Sequence, residues 1–209
     1  LTLQSVLHQV LGWVSSGKIR GICMAFPCST WSTAHRVRLR TRRRIYGIPC
    51  PSPVQAAKLA SGNLSLASTR RIIRACIKHR VPIIAENPHS SLAWKEPQMF
   101  KLLSHPSARQ TVVDQCQYGA RWRKRTRLAG LHAGGLRPSS RLCGGHGVCS
   151  ASGKPHIVLE GAIPGTSIRW TTVAGQYPGR FATAASTWLR RSADLQDLAS
   201  LSRVLQAFI

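Results

Sequence analysis

Two residues stand where a sheet protein would carry out chemistry. Cys28 follows Pro27, directly after the apolar run IRGICMAF at 19–26. A thiol just after a proline at a strand end is held at the sheet edge, where substrate can reach it and nearby backbone amides can lower its pKa. An ordinary half-buried cysteine is the alternative, and the chain's seven cysteines keep it open. Glu86 is one of only six acidic residues and closes a second apolar run, VPIIAE at 81–86. A carboxylate in that place is costly without a task. A helix cap, or a salt bridge to one of the many arginines, would also explain it. A nucleophilic thiol with an acid beside it, in a very basic chain, suggests chemistry on a nucleobase.

The elements that must position these residues alternate. Residues 1–14 carry Leu3, Val6, Leu7, Val10 and Leu11 at helical spacing. The run at 19–26 suits a buried parallel strand, and a basic stretch to Arg44 and a Pro-rich loop at 48–53 follow it. Leu66, Ile72, Ile73, Cys76 and Ile77 predict a helix over 64–79, with Lys78 and His79 placed to favour its dipole. A second strand is expected at 81–86, a helix at 97–104, a strand at 110–117 and a fourth at 125–131, close enough to the third to form a hairpin. Strand–helix alternation predicts an α/β fold with a parallel, partial Rossmann-like sheet, in which function gathers at the carboxyl ends of strands. Three regions follow: a core at 1–131, a Gly-, Cys- and His-rich insert at 132–168, and a return segment at 169–209 ending in a helix from 194. The chain opens on Leu1 within a helical pattern, so it reads as a fragment.

Thirty Lys and Arg against six Asp and Glu give a formal charge of +24, most of it from Arg, the residue best suited to phosphate. Nucleic acid is the expected partner. The hydrophobic content of 43% argues against a disordered basic tail. Arg36, Arg38, Arg40, Arg42, Arg43 and Arg44 form a run that reads as a phosphate-contacting loop, with a merely solvated loop as the alternative. The cysteine count is odd and no apolar signal segment leads the chain, which argues for a reducing intracellular compartment, nuclear in a eukaryote. No apolar run approaches the roughly 18 residues a membrane span needs.

A family resemblance then emerges. AFPCSTWS at 25–32 resembles the Pro-Cys motif of cytosine-5 DNA methyltransferases, AENPHS at 85–90 their Glu-Asn-Val motif, and QYGARWRKRTRL at 117–128 their later Tyr-Gly, Gln-x-Arg-x-Arg motif. The three come in the family's order. Gly62-Asn63, followed by a helix, resembles the segment placed before the Glu strand, and VAGQYPGRF at 173–181 echoes a Gly-Tyr-Pro segment near the family's end. The resemblance implies that Cys28 attacks carbon 6 of a flipped-out cytosine while Glu86 holds the ring nitrogen and amino group. Carbon 5 then takes a methyl group from S-adenosylmethionine. Arg123, Lys124 and Arg125 would lie near the base or its flanking phosphates. The sequence departs from the family in three ways. No Gly-rich cofactor loop precedes residue 19, Ser29 replaces the usual Gln, and Trp122 takes the Gln position of the third motif. In that motif the two Arg positions fall on Lys124 and Thr126, or on Arg125 and Arg127, according to a one-residue choice of register.

In the insert, Cys143, Cys149 and His156, with Cys116, His132 or His146 as fourth partner, have the residue types of a tetrahedral zinc site. The C-x5-C-x6-H spacing is unfamiliar, and a mobile loop with free thiols is the alternative. Trp31, Trp94 and Trp122 lie near the motifs, where core packing is the first expectation and base stacking the second. Three readings stand: a cytosine-5 methyltransferase acting on DNA, with RNA as a variant substrate; a noncatalytic nucleic-acid-binding module of mobile-element origin; and, third, an amino-methylating enzyme hinted at by Asn87-Pro88.

Overall fold

The computed structural model describes residues 4–33, 37–49, 51–136 and 141–206, and the side chains of these up to residue 198. The apolar runs pair as their composition requires. Strand β1 is Ile22–Ala25, β2 is Ile83–Pro88, β3 is Ala108–Asp114 and β4 is Arg125–Leu131, in one sheet of order β1-β2-β4-β3. β1 and β2 are parallel, with Ala25 opposite Glu86, and β4 runs antiparallel to both β2 and β3. The sheet is therefore mixed rather than parallel, because the short β3–β4 connection can only return as a hairpin.

Helices α1 (Gln4–Ser15), α2 (Pro53–His79) and α3 (Pro97–Leu103) cover one face. Leu7, Val14, Leu66, Ile72, Ile73 and Met99 bury there against Ile83, Ala85, Ala129 and Leu131. Residues of alternate parity, Ile84 and Leu128, face the other way and pack under α5 (Gly179–Gln206) through Phe181, with Trp188 and Leu189 at the border. Glu86, Thr126 and Lys124 share the parity of this second face.

Helix α2 begins eleven residues before the position its apolar spacing predicts, 53 against 64. The reason is local: Ser52 accepts from the Gln55 amide, Gln55 reaches back to the Ser52 amide, and Pro53 opens the first turn. It ends on Arg80 in a left-handed conformation (φ 58°). Likewise α5 starts at 179 rather than 194. Gly62-Asn63 lies inside α2, not ahead of it. A short four-residue helix, α4 (Trp170–Val173), precedes α5. Among the described residues no helix is long and apolar enough to cross a membrane.

Candidate active site and metal cluster

The turns after β1 and β2 are tied together at the carboxyl ends of the strands. Asn87 is fully buried and its Nδ2 donates to the Phe26 carbonyl at 2.7 Å. The Leu92 amide donates to the Trp31 carbonyl at 2.9 Å. The Cys28 carbonyl accepts from the amides of Trp31 (3.0 Å) and Ser32 (2.8 Å), so the chain turns tightly at the thiol. Trp31 and Trp94 are core residues, 0% and 3% exposed, as packing predicts.

Three of the six acids are buried, and their surroundings separate them. Glu96 caps α3 through the Met99 amide (2.8 Å) and accepts from Arg70 (2.5 Å) and the Tyr46 hydroxyl (2.6 Å). Burial opposes its charge, but these partners hold its pKa below the usual carboxylate value. Asp114 accepts from Arg125 twice at 2.9 Å, from Arg123 at 3.1 Å and from the Cys143 amide at 2.8 Å. Its pKa is likewise lowered against burial. Glu86 differs. Among the described residues it has no arginine; Oε2 accepts from the Tyr177 hydroxyl at 2.5 Å, and the buried Oε1 has no hydrogen-bond partner. Burial dominates and raises its pKa, although Tyr177, Lys124 and Thr126 favour the anion.

Cys28 is half-buried. Burial raises its pKa, the Lys124 ammonium pulls it down, and the Glu86 carboxylate pushes it up. Lys124 itself is anchored: Nζ donates to the Ala174 carbonyl at 3.1 Å and lies 5.7 Å from the centre of the Tyr177 ring. The structure thus gathers Cys28, Glu86, Lys124, Thr126 and Tyr177 on one side of the sheet. The register of the third motif that faces Glu86 is the one carrying Lys124 and Thr126. Arg123 and Arg125 point to Asp114 instead, which corrects their expected place near the base: strand alternation sends odd positions to the opposite face.

Tyr177 and Asp114 were not apparent as site residues. Tyr177 arrives from 91 residues beyond Glu86 in sequence, and its one signal was the Gly-x-Tyr-Pro segment containing it.

The basic run also needs one correction. Arg38, Arg42, Arg43 and Arg44 are exposed, but Arg40 is only 2% exposed. Its guanidinium donates to Thr30 Oγ1, Asn63 Oδ1 and the carbonyls of Ile45 and Leu59, and stacks 3.6 Å from the centre of Trp31. It staples the loop to α2 and has no donor left for phosphate. Arg36 lies outside the described residues.

In the insert, the ligand atoms of Cys116, Cys143, Cys149 and His156 all lie within 4.8 Å of one another, a group that could hold a metal ion. His132 and His146 are not among them; His132 meets the His105 ring edge to face. Cys116 comes from the turn after β3, the others from the insert. Hydrogen bonds from Ser150 bring the Cys143 thiol down to about 6. Burial opposes ionisation of Cys149, yet the amides of Ala151 and Ser152 bring it to about 7, while burial takes Cys116 up to about 12. Three sulfurs and one imidazole form a soft, nitrogen-and-sulfur donor set.

Compared with protein-family models, with curated proteins and with solved structures, the chain matches none.

Proposed function

We propose that this chain is a cytosine-5 methyltransferase-type protein acting on nucleic acid, with Cys28 as nucleophile and Glu86 as proton donor to the base. One observation carries the reading. Among the described residues, Glu86 alone of the three buried carboxylates lacks an arginine and keeps an unpartnered oxygen, and its strand pairs with β1, which Cys28 follows. A carboxyl whose pKa burial raises suits the chemistry. The Cys28 thiol, whose pKa burial raises and Lys124 lowers only in part, gives its proton to water and adds as the thiolate to carbon 6 of cytosine as the carbon 5–carbon 6 double bond breaks. The electron pair moves through the ring to nitrogen 3, which takes the Glu86 proton. Carbon 5 is left electron-rich. The cytosine must be unstacked to reach this site, and DNA is the substrate favoured by the motif resemblance. The sheet also suits the reading: without antiparallel β4, the order β1-β2-β3 is that of one half of a doubly wound fold.

The described residues do not fit S-adenosylmethionine. In doubly wound sheets the cofactor crevice lies at the switch point between halves. Among the described residues β1 is an edge strand and no glycine-rich turn leads from a strand into a helix. The addition step can be tested alone, because reversible addition at carbon 6 exchanges the carbon 5 hydrogen with water. The assay is tritium release from DNA carrying 5-tritiated cytosine. Release is expected with the unaltered chain and should disappear in Cys28→Ser and Glu86→Gln; release that is absent, or indifferent to Cys28, overturns the reading. In that case the exposed Arg38, Arg42, Arg43 and Arg44 favour the second reading, a noncatalytic nucleic-acid-binding module.

The metal expected at Cys116, Cys143, Cys149 and His156 is zinc, on the strength of the three-sulfur, one-nitrogen donor set. Metal analysis of the purified chain should find about one equivalent per chain. Less than about a tenth of an equivalent removes the assignment.

A further inference from the structure

Among its described residues the insert has almost no core of its own. The buried apolar cluster at its centre consists of Cys116, Cys143 and Cys149 alone, with no aliphatic or aromatic side chain. Burial on this scale does not order a segment of this length without a further tie. The turn it leans on, between β3 and β4, meets the insert at several points. The Cys143 amide donates to buried Asp114, the Ile157 amide to the Arg121 carbonyl (2.9 Å), and Gln117 Nε2 to Ser150 Oγ (3.1 Å). Asp114 in turn grips Arg123 and Arg125, the two residues flanking Lys124. The Gln115 amide closes the turn on the Lys124 carbonyl at 3.1 Å. At the end of this chain of contacts Lys124 reaches across to Ala174 and Tyr177, beside Glu86 and Cys28.

We propose that zinc at the cysteine–histidine cluster is the clamp that sets Lys124 against Cys28 and Glu86, so that metal occupancy controls the active-site thiol from the far end of the β3–β4 turn. This rests on the zinc assignment above. Lys124 is a positioning residue in this scheme: it holds charge near the thiol and touches no metal ligand. The ionisable groups around Cys28 are Lys124, Glu86 and Tyr177, and Cys23 on β1 faces Tyr177 in turn. Among these Lys124 is the cation.

The test compares zinc-loaded chain with chain stripped by a chelator, using two readouts besides activity. In amide hydrogen exchange, stripping should speed exchange at Gln115, Gly119, Ala120, Cys143 and Ile157 by roughly tenfold or more, with β2 and α2 unchanged. In alkylation by iodoacetamide, followed on the peptide that carries Cys28, the pH midpoint should rise on stripping. Lys124→Met should raise it equally with zinc still bound, and stripping that variant should add nothing. Asp114→Asn keeps all four ligands, so it should loosen the turn and raise the midpoint while zinc content stays full. If stripping unfolds β2 and α2, the zinc-loaded Lys124→Met and Asp114→Asn variants decide the matter. Loss of protection confined to 141–157, or a midpoint that does not move, overturns the clamp alone. A chain that takes up no zinc overturns the clamp and the zinc assignment together.

Discussion

Arg40 gives the sharpest separation between a residue that binds a partner and one that holds the fold. Its guanidinium sits on neutral acceptors: Thr30 Oγ1 at 3.0 Å, the Leu59 carbonyl at 3.2 Å, the Ile45 carbonyl at 2.9 Å and Asn63 Oδ1 at 2.7 Å. Burial lowers its pKa to about 10, and it stays charged at neutral pH. Arg40→Ala leaves the Leu59 carbonyl buried without that donor, at about 1–2 kcal/mol, and the half-buried Ile45 and Asn63 acceptors at about 1 kcal/mol each. Loss of the stack on Trp31 adds about 1–2 kcal/mol. Against this, the fold no longer desolvates a charge, which returns about 2 kcal/mol. The net expectation is a loss of about 3 kcal/mol. With a urea slope of about 2 kcal/mol per molar, the unfolding midpoint should fall by about 1.5 M. Arg43→Ala, an exposed control in the same loop, should stay within about 0.5 kcal/mol. Urea unfolding followed by tryptophan fluorescence and nucleic-acid affinity at fixed salt are measured on both variants. If Arg40→Ala leaves the midpoint within about 0.3 M of the parent and instead weakens nucleic-acid binding, the reasoning fails and Arg40 is a phosphate contact after all.

Three further outcomes follow from the same geometry. Gly62→Ala places a methyl carbon 2.4 Å from Thr30 Oγ1 and 2.9 Å from Arg40 Nη2. It should cost about 1–3 kcal/mol in the same urea assay, and a neutral result would show that the Arg40 staple yields freely. Tyr177→Phe removes a donor that favours the Glu86 anion, so the already raised carboxyl should rise further. A raised carboxyl contributes stability below its unfolded pKa that is lost as pH climbs through the folded value. The titration of the Glu86 carboxyl, followed directly by carbon-13 NMR, should therefore move to higher pH in Tyr177→Phe, and movement to lower pH would contradict the assignment. Replacing Arg42, Arg43 and Arg44 together with alanine should flatten the salt dependence of nucleic-acid binding by up to about three phosphate contacts, at about 0.9 each in the logarithmic slope. A slope that does not change makes the run a solvated loop.

The sequence by itself determined the elements whose signal is local. Residues 125–131 form the fourth strand at its expected bounds, and the hairpin with the preceding strand follows from the short connection. Cys28 and Glu86 were legible because each closes an apolar run, and parallel pairing of those runs brings their ends together. The cysteine–histidine group was legible as residue types, with His132 and His146 open as partners until the fold chose Cys116 and His156. What only the tertiary structure decided depends on contacts distant in sequence. An arginine in a basic run looks the same whether it faces solvent or a tryptophan, and Arg40 is buried because Trp31, Leu59 and Asn63 converge on it. Strand parity, fixed by pairing with Glu86, sends Lys124 and Thr126 to the candidate active site and leaves Arg123 and Arg125 on Asp114. Tyr177 reaches Glu86 only because the return segment lies across the sheet before α5 begins. Sequence spacing carries the period of an element and the chemistry of a side chain. Which side chain ends up desolvated beside which other one is set by packing, and here that separates Glu96 and Asp114, held by arginines, from Glu86, which meets a tyrosine instead.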